Sequence, residues 1–553
     1  MGEGVARRGP LLGKAVSKLA RSRSPRIADL LKRSGKVGNP LAIASSTVRG
    51  ALICAAVSLP AAGAAGLLLS KWALLLALLP LAFVLAPELK LRDMVARRKE
   101  GVEAELPFFS VFVGVLGSAG VPLYFIFRDL ARSNVFEALG REALMVKRDV
   151  ETLGMNANDA FERMAATHPS RRFSEFLLGY TSKARSGGDV PVYLVGESGS
   201  LLRELEESWG RYVARVGIVG SMMITVFGVV PLLLMVVGVF SPGFSMVGLL
   251  AFTGLGVPTF TVGLVYMAGR MQPMGEEPIQ GKALTAAALA LLGVPLGLAT
   301  SQAWVGVAAA LFVFFVAYGL SVRGQLSETR AIDEGLTRFL KDLLEYRRQE
   351  YDLAKAVAAI ESSGTHSGPF SRVLSRVAAQ LRAGVPLDEV KVECRSRMGR
   401  LTFLLLGQMN RSGGGTVDTL YQVSSFAEKL TGMRKNADAE MKPYLILSYI
   451  SPVLLAFGVT FVEGVLSSFS SRVAPGFSAL RVSGVQLGTI SPGMSQVSDL
   501  LIVVSAASLG LIGAKITDLT VRNTLRASLN VALAVSAVVA MAALSSHSLA
   551  QLL

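Results

Sequence analysis

The residue types that usually carry chemistry are few in this chain and lie far apart. The three histidines, His168, His366 and His547, have no cysteine or carboxylate neighbours at the spacing of metal ligands. The two cysteines, Cys54 and Cys394, fall in a predicted span and a predicted water-facing domain, so we expect no disulfide. No Ser/His/Asp or Cys/His set and no paired carboxylates within one motif are present. The sequence therefore predicts no catalytic, cofactor-binding or metal site.

The strongest candidates for a binding site are two glycine motifs, Arg185-Ser-Gly187-Gly188 and Arg411-Ser-Gly413-Gly414. Both resemble part of a phosphate-binding loop, but that loop ends in Gly-Lys-Ser/Thr and neither motif contains the lysine. The simplest interpretation is a helix that ends in glycine and turns into the next helix. The alternative is a partner that docks against the exposed turn, where Arg185 and Arg411 reach acidic groups. Carboxylates near the motifs are interpreted as solvated helix faces: Asp159, Glu162, Asp388 and Glu389.

The composition places much of the chain in a membrane. Of the 553 residues, 51% are hydrophobic and 17% are charged, whereas soluble domains carry about 25% charged residues. The charges concentrate in residues 1–50, 88–212 and 323–442. This block pattern predicts membrane spans that alternate with water-facing domains, and it argues against a soluble enzyme.

The net charge of +16 does not indicate nucleic-acid binding. Residues 1–50 carry eleven Lys and Arg side chains against Glu3 and Asp29, a net charge of +9 and over half of the excess. A basic tail before a first span is what the positive-inside rule produces, and it also suits anionic lipid headgroups. No recognised nucleic-acid-binding motif accompanies the charge. We therefore expect the protein to contact a lipid bilayer and not to bind nucleic acid.

Nine stretches are candidates to cross a bilayer, which requires about 20 mostly apolar residues. They lie at residues 50–70, 72–88, 213–240, 246–268, 283–300, 303–322, 443–466, 499–517 and 527–546. The short links predicted to lie outside, 241–246 and 300–303, carry no charge, whereas inner links contain Arg270 and Arg526. The positive-inside rule then places the N-terminus and both large polar segments in the cytoplasm and the C-terminus outside.

The predicted fold is an all-α polytopic membrane protein with about nine transmembrane helices and two duplicated cytoplasmic helical bundles. Apolar residues between Leu336 and Leu344 fall on one helix face, and no sustained alternation indicates a sheet. The predicted segments are a basic cytoplasmic tail (1–49), two spans (50–88), a first cytoplasmic domain (89–212), four spans (213–322), a second cytoplasmic domain (323–442) and three spans with an external C-terminus (443–553).

The two polar segments share three landmarks in the same order, which indicates an internal duplication. The first contains Gly154-Met-Asn-Ala-Asn-Asp-Ala, Phe176-Leu-Leu-Gly179 and the Arg185 motif, and the second contains Gly384-Val-Pro-Leu-Asp-Glu-Val, Leu404-Leu-Leu-Gly407 and the Arg411 motif. An amphipathic stretch enters each segment and another runs into a span. We therefore expect each bundle to end in a helix that continues into the membrane.

This arrangement resembles the type II secretion F-domain family, particularly the archaeal membrane platform proteins of archaella and type IV pili. The resemblance rests on the duplicated segments at about 103–230 and 336–460, on the Leu106-Pro107 start of the first copy, and on the glycine landmarks. The motifs cover about half of the chain, and the topology of spans covers all of it. The second copy lacks the Leu-Pro start, and the family pattern does not explain the basic tail.

The resemblance implies a protein without chemistry of its own. Family members of this kind are expected to dock a cytoplasmic hexameric secretion ATPase and to help pilin-like or archaellin-like subunits leave the bilayer. Helices that run from a bundle into the membrane, at Leu202–Phe240 and Val423–Glu463, would transmit the motion. A homodimer at the filament axis is also implied. The candidate contact residues are Arg185, Gly187, Gly188, Arg203, Arg411, Gly413, Gly414, Arg434 and Lys435.

Three other functions share part of this pattern. The first alternative is a membrane subunit of an ATPase-driven exporter or permease, which would show a polar cavity and buried charges along the spans. The second is a membrane-embedded enzyme, which would show clustered His, Asp or Glu at the cytoplasmic ends of spans. The third is a membrane-anchored scaffold unrelated to filaments. The scarcity of ionisable residues in the middle of the spans weighs against the first, and the sequence shows no such cluster for the second.

Overall fold

The computed structural model of the protein describes residues 10–36, 38–68, 79–132, 135–240, 246–273, 279–413, 415–479 and 492–550. Within these residues the regular secondary structure is helical and no strand occurs, which confirms the predicted all-α class. The chain divides into two compact units, Met1–Leu201 and Leu202–Leu553. Each unit has its own arrangement of helices.

The described part of the first unit is built from α1 to α7 and the beginning of α8. These helices are α1 (Pro10–Ser34), α2 (Pro40–Leu68), α3 (Leu79–Ser118), α4 (Leu123–Leu130), α5 (Glu137–Glu151), α6 (Ala157–Thr167), α7 (Arg171–Arg185) and α8 (Val190–Ile224). The carboxylate of Glu105 on α3 accepts hydrogen bonds of 2.8–3.1 Å from backbone N–H groups of Glu137, Ala138 and Leu139. A carboxylate in this position satisfies unpaired donors of the first turn and complements the helix dipole, so it fixes where α5 begins.

The described part of the second unit continues with α9 to α20. These helices are α9 (Val230–Phe240), α10 (Met246–Ala251), α11 (Val257–Met271), α12 (Ala283–Ala290), α13 (Gly293–Thr300), α14 (Ala303–Arg348), α15 (Leu353–Ser362), α16 (Pro369–Arg382), α17 (Arg397–Ser412), α18 (Val417–Ala479), α19 (Pro492–Asp518) and α20 (Leu525–Ala550). Single π-helical turns, Thr225–Val229 and Phe252–Gly256, precede α9 and α11. A proline follows each turn, Pro231 and Pro258, and its missing N–H shifts the helical hydrogen bonds.

Eight helices in the described residues are long and apolar enough to cross a membrane, which confirms a multi-pass membrane protein. Seven of them overlap the spans predicted between residues 213 and 546. The eighth, Leu85–Ser118, lies mostly in the segment that the sequence assigned to the first cytoplasmic domain. Its most apolar stretch is 72% buried by other parts of the protein, so its hydrophobicity also serves a bundle core. The predicted spans 50–70 and 72–88 lie partly within residues 69–78, outside the described residues.

Small residues allow close helix packing in the membrane region. A Cβ atom at Gly293 would lie 2.4 Å from the backbone nitrogen of Ala310, and one at Gly297 would lie 2.9 Å from the Cα of Gly306. Both distances are too short for any side chain, so α13 and α14 touch through their backbones. Such contacts are the usual role of small-residue pairs in membrane helices.

Two helices of the second unit are much longer than a membrane span. Helix α14 has 46 residues and α18 has 63. Each contains a predicted span, 303–322 and 443–466 respectively, and continues through residues of the predicted second cytoplasmic domain. The second bundle is therefore joined to membrane helices without a flexible linker at either end.

Candidate partner interface

Each of the two duplicated bundles contains a buried serine that ties its first helix to a later one. Ser170 caps α7 and donates a 2.9 Å hydrogen bond to the carboxylate of Glu103 on α3. Ser396 caps α17 and donates a hydrogen bond to the carboxylate of Asp333 on α14. Both serines are fully buried. Because side-chain caps satisfy unpaired N–H groups, this pairing fixes the start of α7 and α17 against the first helix of each copy.

A buried phenylalanine lies at the centre of each copy. Phe109 and Phe339 follow Glu103 and Asp333 by the same number of residues, and neither is exposed. In each copy the ring contacts one phenylalanine at the start of the third helix and another inside the later capped helix. The centroid distances are Phe109–Phe136 6.2 Å, Phe109–Phe176 5.9 Å, Phe339–Phe370 5.6 Å and Phe339–Phe403 5.7 Å. The duplication predicted from the glycine landmarks therefore extends to the cores.

The glycine motifs form helix-terminating turns. Gly187 has φ +68° after α7 and Gly413 has φ +69° after α17, a left-handed conformation that suits glycine. Arg185 lies as far after Ser170 as Arg411 does after Ser396, so the two turns occupy equivalent places. Both glycines and Gly188 are exposed. Gly414 lies outside the described residues.

Arg185 already has acidic partners within the first copy. Its guanidinium lies 2.6 Å from Asp159 and 3.0 Å from Glu162, both on α6. The two carboxylates that the sequence suggested were simply solvated therefore hold α6 against the end of α7. In the second copy, residues 383–396 replace α6 with a non-helical segment, and Arg411 is exposed at the end of α17.

The other predicted contact residues lie near the long helices. Arg203 is exposed on α8. Arg434 lies 3.6 Å from Asp333, and Lys435 lies 3.3 Å from Glu334. These two pairs connect α18 to α14, so Arg434 and Lys435 also stabilise the helix pair that leads to the membrane. The Lys435–Glu334 pair is exposed, and pairs of this kind contribute little to stability individually.

A network of charged side chains fills the first bundle between α3 and α5. Arg98 donates hydrogen bonds of 2.7 and 2.5 Å to the buried carboxylate of Glu142, and a third of 2.8 Å to the carbonyl of Arg33 on α1. His168 accepts a hydrogen bond from the Ser170 N–H on Nδ1, so its Nε2 carries the proton and faces Glu142 at 3.7 Å. Burial on its own would raise the pKa of Glu142, but these partners outweigh it and lower the pKa to about 2.

A second buried network, which the sequence did not reveal, lies where the second bundle meets the turn between α19 and α20. The side chain of Asp518 is 1% exposed and accepts hydrogen bonds from Arg330 at 2.8 Å, Arg526 at 2.6 and 2.9 Å, and Asn523 at 2.7 Å. The sequence feature that could have indicated this network is Asp518 itself, an acidic residue at the start of the predicted inner link that also contains Arg526. The network joins α14 to the last two membrane helices.

No group of three or more His, Cys, Asp or Glu side chains in the described residues is arranged to hold a metal ion. The arrangement offers charged turns, helix ends and rigid helix pairs.

Comparison with known proteins agrees with the duplicated architecture. The family described as type II secretion system protein F matches the chain twice, at residues 109–238 and 339–463. An uncharacterized protein of Methanocaldococcus jannaschii is 20% identical over 422 residues, which cover 67% of this chain and 69% of the relative. No solved structure matches the chain at a significant level. The two family matches begin at the central phenylalanines, Phe109 and Phe339, and the chain therefore contains two copies of the type II secretion system protein F domain.

Proposed function

We propose that this protein is the membrane platform of an archaeal type IV filament machine, an archaellum or a pilus. In this role it docks a cytoplasmic hexameric secretion ATPase and couples the ATPase to the insertion of pilin-like subunits into the filament. The protein acts as a homodimer and performs no chemistry of its own. The two F domains support a place in a secretion or pilus-type system.

The observation that carries the coupling role is the continuity of α14 and α18. Both helices run from the second bundle into a predicted span without a break, and they are connected by the pairs Arg434–Asp333 and Lys435–Glu334. A displacement of the bundle is therefore transmitted to the membrane helices rather than absorbed by a linker. The Asp518 network extends this connection to α19 and α20.

Docking at the turns completes the proposal. Arg411 and Gly413 form an exposed turn in the second copy, and Gly187, Gly188 and Arg203 are exposed in the region of the first. The proposed topology puts the N-terminus and both bundles in the cytoplasm, where the ATPase is found, and the C-terminus outside. Reaction of single introduced cysteines with a membrane-impermeant thiol reagent would test this orientation at each link.

The experiment that tests the function is affinity purification of the tagged protein from its native membrane, followed by mass spectrometry. We expect a secretion-type hexameric ATPase and prepilin-like subunits in the purified material. Recovery of a solute-binding protein or an ABC-type ATPase, without any pilin-like partner, would instead support the exporter or permease alternative.

A further inference from the structure

The second copy contains a charged pocket to which the proposed platform function assigns no role. It has a volume of about 330 Å³ and lies between α14, α16 and the non-helical segment before α17. Its lining residues are Glu328, Ile332, Pro369, Arg372, Val373, Arg376, Glu393, Cys394 and Arg395. A volume of this size accommodates one or two side chains of a partner.

The pocket occupies the same place in the second copy that the Arg98 network fills in the first. Counted back from the central phenylalanine, Glu328 is equivalent to Arg98. Counted from the phenylalanine before the third helix, Arg376 is equivalent to Glu142. Counted from the capping serine, Cys394 is equivalent to His168. A buried ion pair in the first copy is thus replaced by an opening whose lining includes three arginines and two glutamates.

In the first copy, other parts of the protein cover this place. The Arg98 guanidinium binds the carboxylate of Glu142 and also the backbone carbonyl of Arg33, near the C-terminal end of α1. Gly35, just after that helix, lies so close that an added Cβ would be 2.9 Å from Met145 and 3.0 Å from Arg98. The groups that satisfy the arginine are therefore protein oxygens, two from a carboxylate and one from a helix end.

In the second copy, two arginines of the pocket lack such acceptors. Arg372 and Arg376 lie one turn apart on α16 and are exposed, and within the described residues neither guanidinium group forms an ion pair or a hydrogen bond. Arg395, by contrast, lies 3.5 Å from Glu328 and also binds Gln325. Burial raises the pKa of the Cys394 thiol to about 11, so this side chain adds no negative charge at neutral pH.

We infer that this pocket binds an acidic segment of the cytoplasmic ATPase, with carboxylates paired to Arg372 and Arg376. Guanidinium groups bind carboxylates through two parallel hydrogen bonds, so two arginines one turn apart suit acidic residues three or four positions apart on a helix. The inference rests on the proposed platform function, which supplies the ATPase. It places this ATPase contact in the second copy, because the equivalent place in the first copy is closed.

The test compares variants of the tagged full-length protein, purified from native membranes. The double substitution Arg372→Glu with Arg376→Glu should lower the amount of co-purifying ATPase at least tenfold. The matched control reverses two exposed charges outside the pocket, Arg338→Glu on α14 and Lys429→Glu on α18, and should change recovery less than twofold. Arg372→Lys with Arg376→Lys keeps the charge but loses the paired geometry, so we expect a smaller loss.

Two further measurements make the outcomes distinct. Thermal unfolding must show that the variants fold, and where the double reversal does not, the lysine pair takes its place. A photo-reactive amino acid in place of Val373, inside the pocket, should cross-link to an ATPase peptide that contains Asp or Glu.

Absence of any secretion ATPase with the wild-type protein would overturn the platform function itself. Equal recovery of the ATPase with wild type and double reversal would overturn only the pocket. If the double reversal instead weakened binding of phosphatidylglycerol vesicles and left ATPase recovery unchanged, the pocket would be a lipid headgroup site and the inference would be wrong.

Discussion

Arg330 on α14 donates a hydrogen bond of 2.8 Å to the buried carboxylate of Asp518, which lies 188 residues later in the chain. Arg526 and Asn523 bind the same carboxylate, so one side chain holds α14, α19 and α20 together. The bond lies at the junction between the second bundle and the last membrane helices. It is a contact through which a displacement of α14 would reach those helices.

Replacement of Asp518 by alanine should destabilise the second unit strongly. The substitution leaves Arg526 and Arg330 without their acceptor, and removal of one member of a buried charge network costs about 3 kcal/mol. The melting temperature of the purified protein in detergent should therefore fall by several degrees. Lys341→Ala provides the control, because Lys341 and Glu428 form an exposed pair between α14 and α18, whose loss should cost less than about 1 kcal/mol. Equal shifts for the two variants would show that the Asp518 network is not structurally important.

The turn after α17 should accept glycine or asparagine better than alanine. Gly413 has φ +69° and no other atoms surround its missing side chain, so conformation alone imposes the requirement. Gly413→Ala should therefore cost about 1 kcal/mol, and Gly413→Asn should cost less, because asparagine tolerates the left-handed region. Gly432 lies inside α18 and also has open space around it, so Gly432→Ala should stabilise by up to about 1 kcal/mol. Thermal melts of the three variants measure these changes in stability. If Gly413→Ala stabilised the protein, the left-handed conformation of Gly413 would be wrong.

The first copy should lose stability in acid through Glu142. Its pKa is about 2 in the folded protein and 4.5 without the surrounding structure. A carboxyl group whose pKa is lowered by folding stabilises fully above its unfolded pKa, and that stabilisation disappears as pH falls from 4.5 towards 2. The difference in melting temperature between wild type and Glu142→Gln should therefore be largest above pH 5 and shrink below pH 4.

Glu175→Gln is the control for this pH effect. Among the described residues, Glu175 pairs only with Arg171, in an exposed position on α7, so its removal should leave the melting profile within a degree of wild type at every pH. A Glu142→Gln difference that stayed constant down to pH 2 would mean that the carboxylate is not the titrating group.

The fold was predictable where local patterns decide it. Apolar stretches correctly predicted seven spans, and the glycines at 187 and 413 correctly predicted helix-ending turns. Both features depend on residues that are neighbours in the sequence, so a local pattern is enough to predict them. The apolar run of α3 resembles a span although 72% of its most apolar stretch is buried within the protein, since a core helix and a membrane helix have similar composition.

The charged networks were not predictable in the same way. Asp518 meets Arg330 only because α14, α19 and α20 converge, and no local spacing records that meeting. The pocket in the second copy depends on the replacement of α6 by a non-helical segment at residues 383–396, although Gly384 and the residues after it resemble Gly154 and its successors. Pro386 and the acidic pair that follows it do not continue into a helix. Sequence similarity between the copies thus revealed their relationship but concealed where they differ.

The continuity of α18 should be essential for filament assembly and dispensable for ATPase binding. Insertion of four residues, Gly-Ser-Gly-Ser, after Glu440 would interrupt the helix between the second bundle and the predicted span at 443–466, because glycine and serine in a helix interior favour local unfolding. The bundle itself lies before the insertion and keeps its core around Phe339. Filaments per cell, counted by electron microscopy, should therefore fall at least tenfold while the ATPase still co-purifies within twofold of wild type.

The same insertion after Gly364, in the exposed turn between α15 and α16, lengthens the chain without interrupting a long helix and should leave filament number unchanged. Normal filament assembly with the α18 insertion would refute mechanical coupling through this helix, whereas loss of both filaments and ATPase would show that the insertion disturbs docking as well.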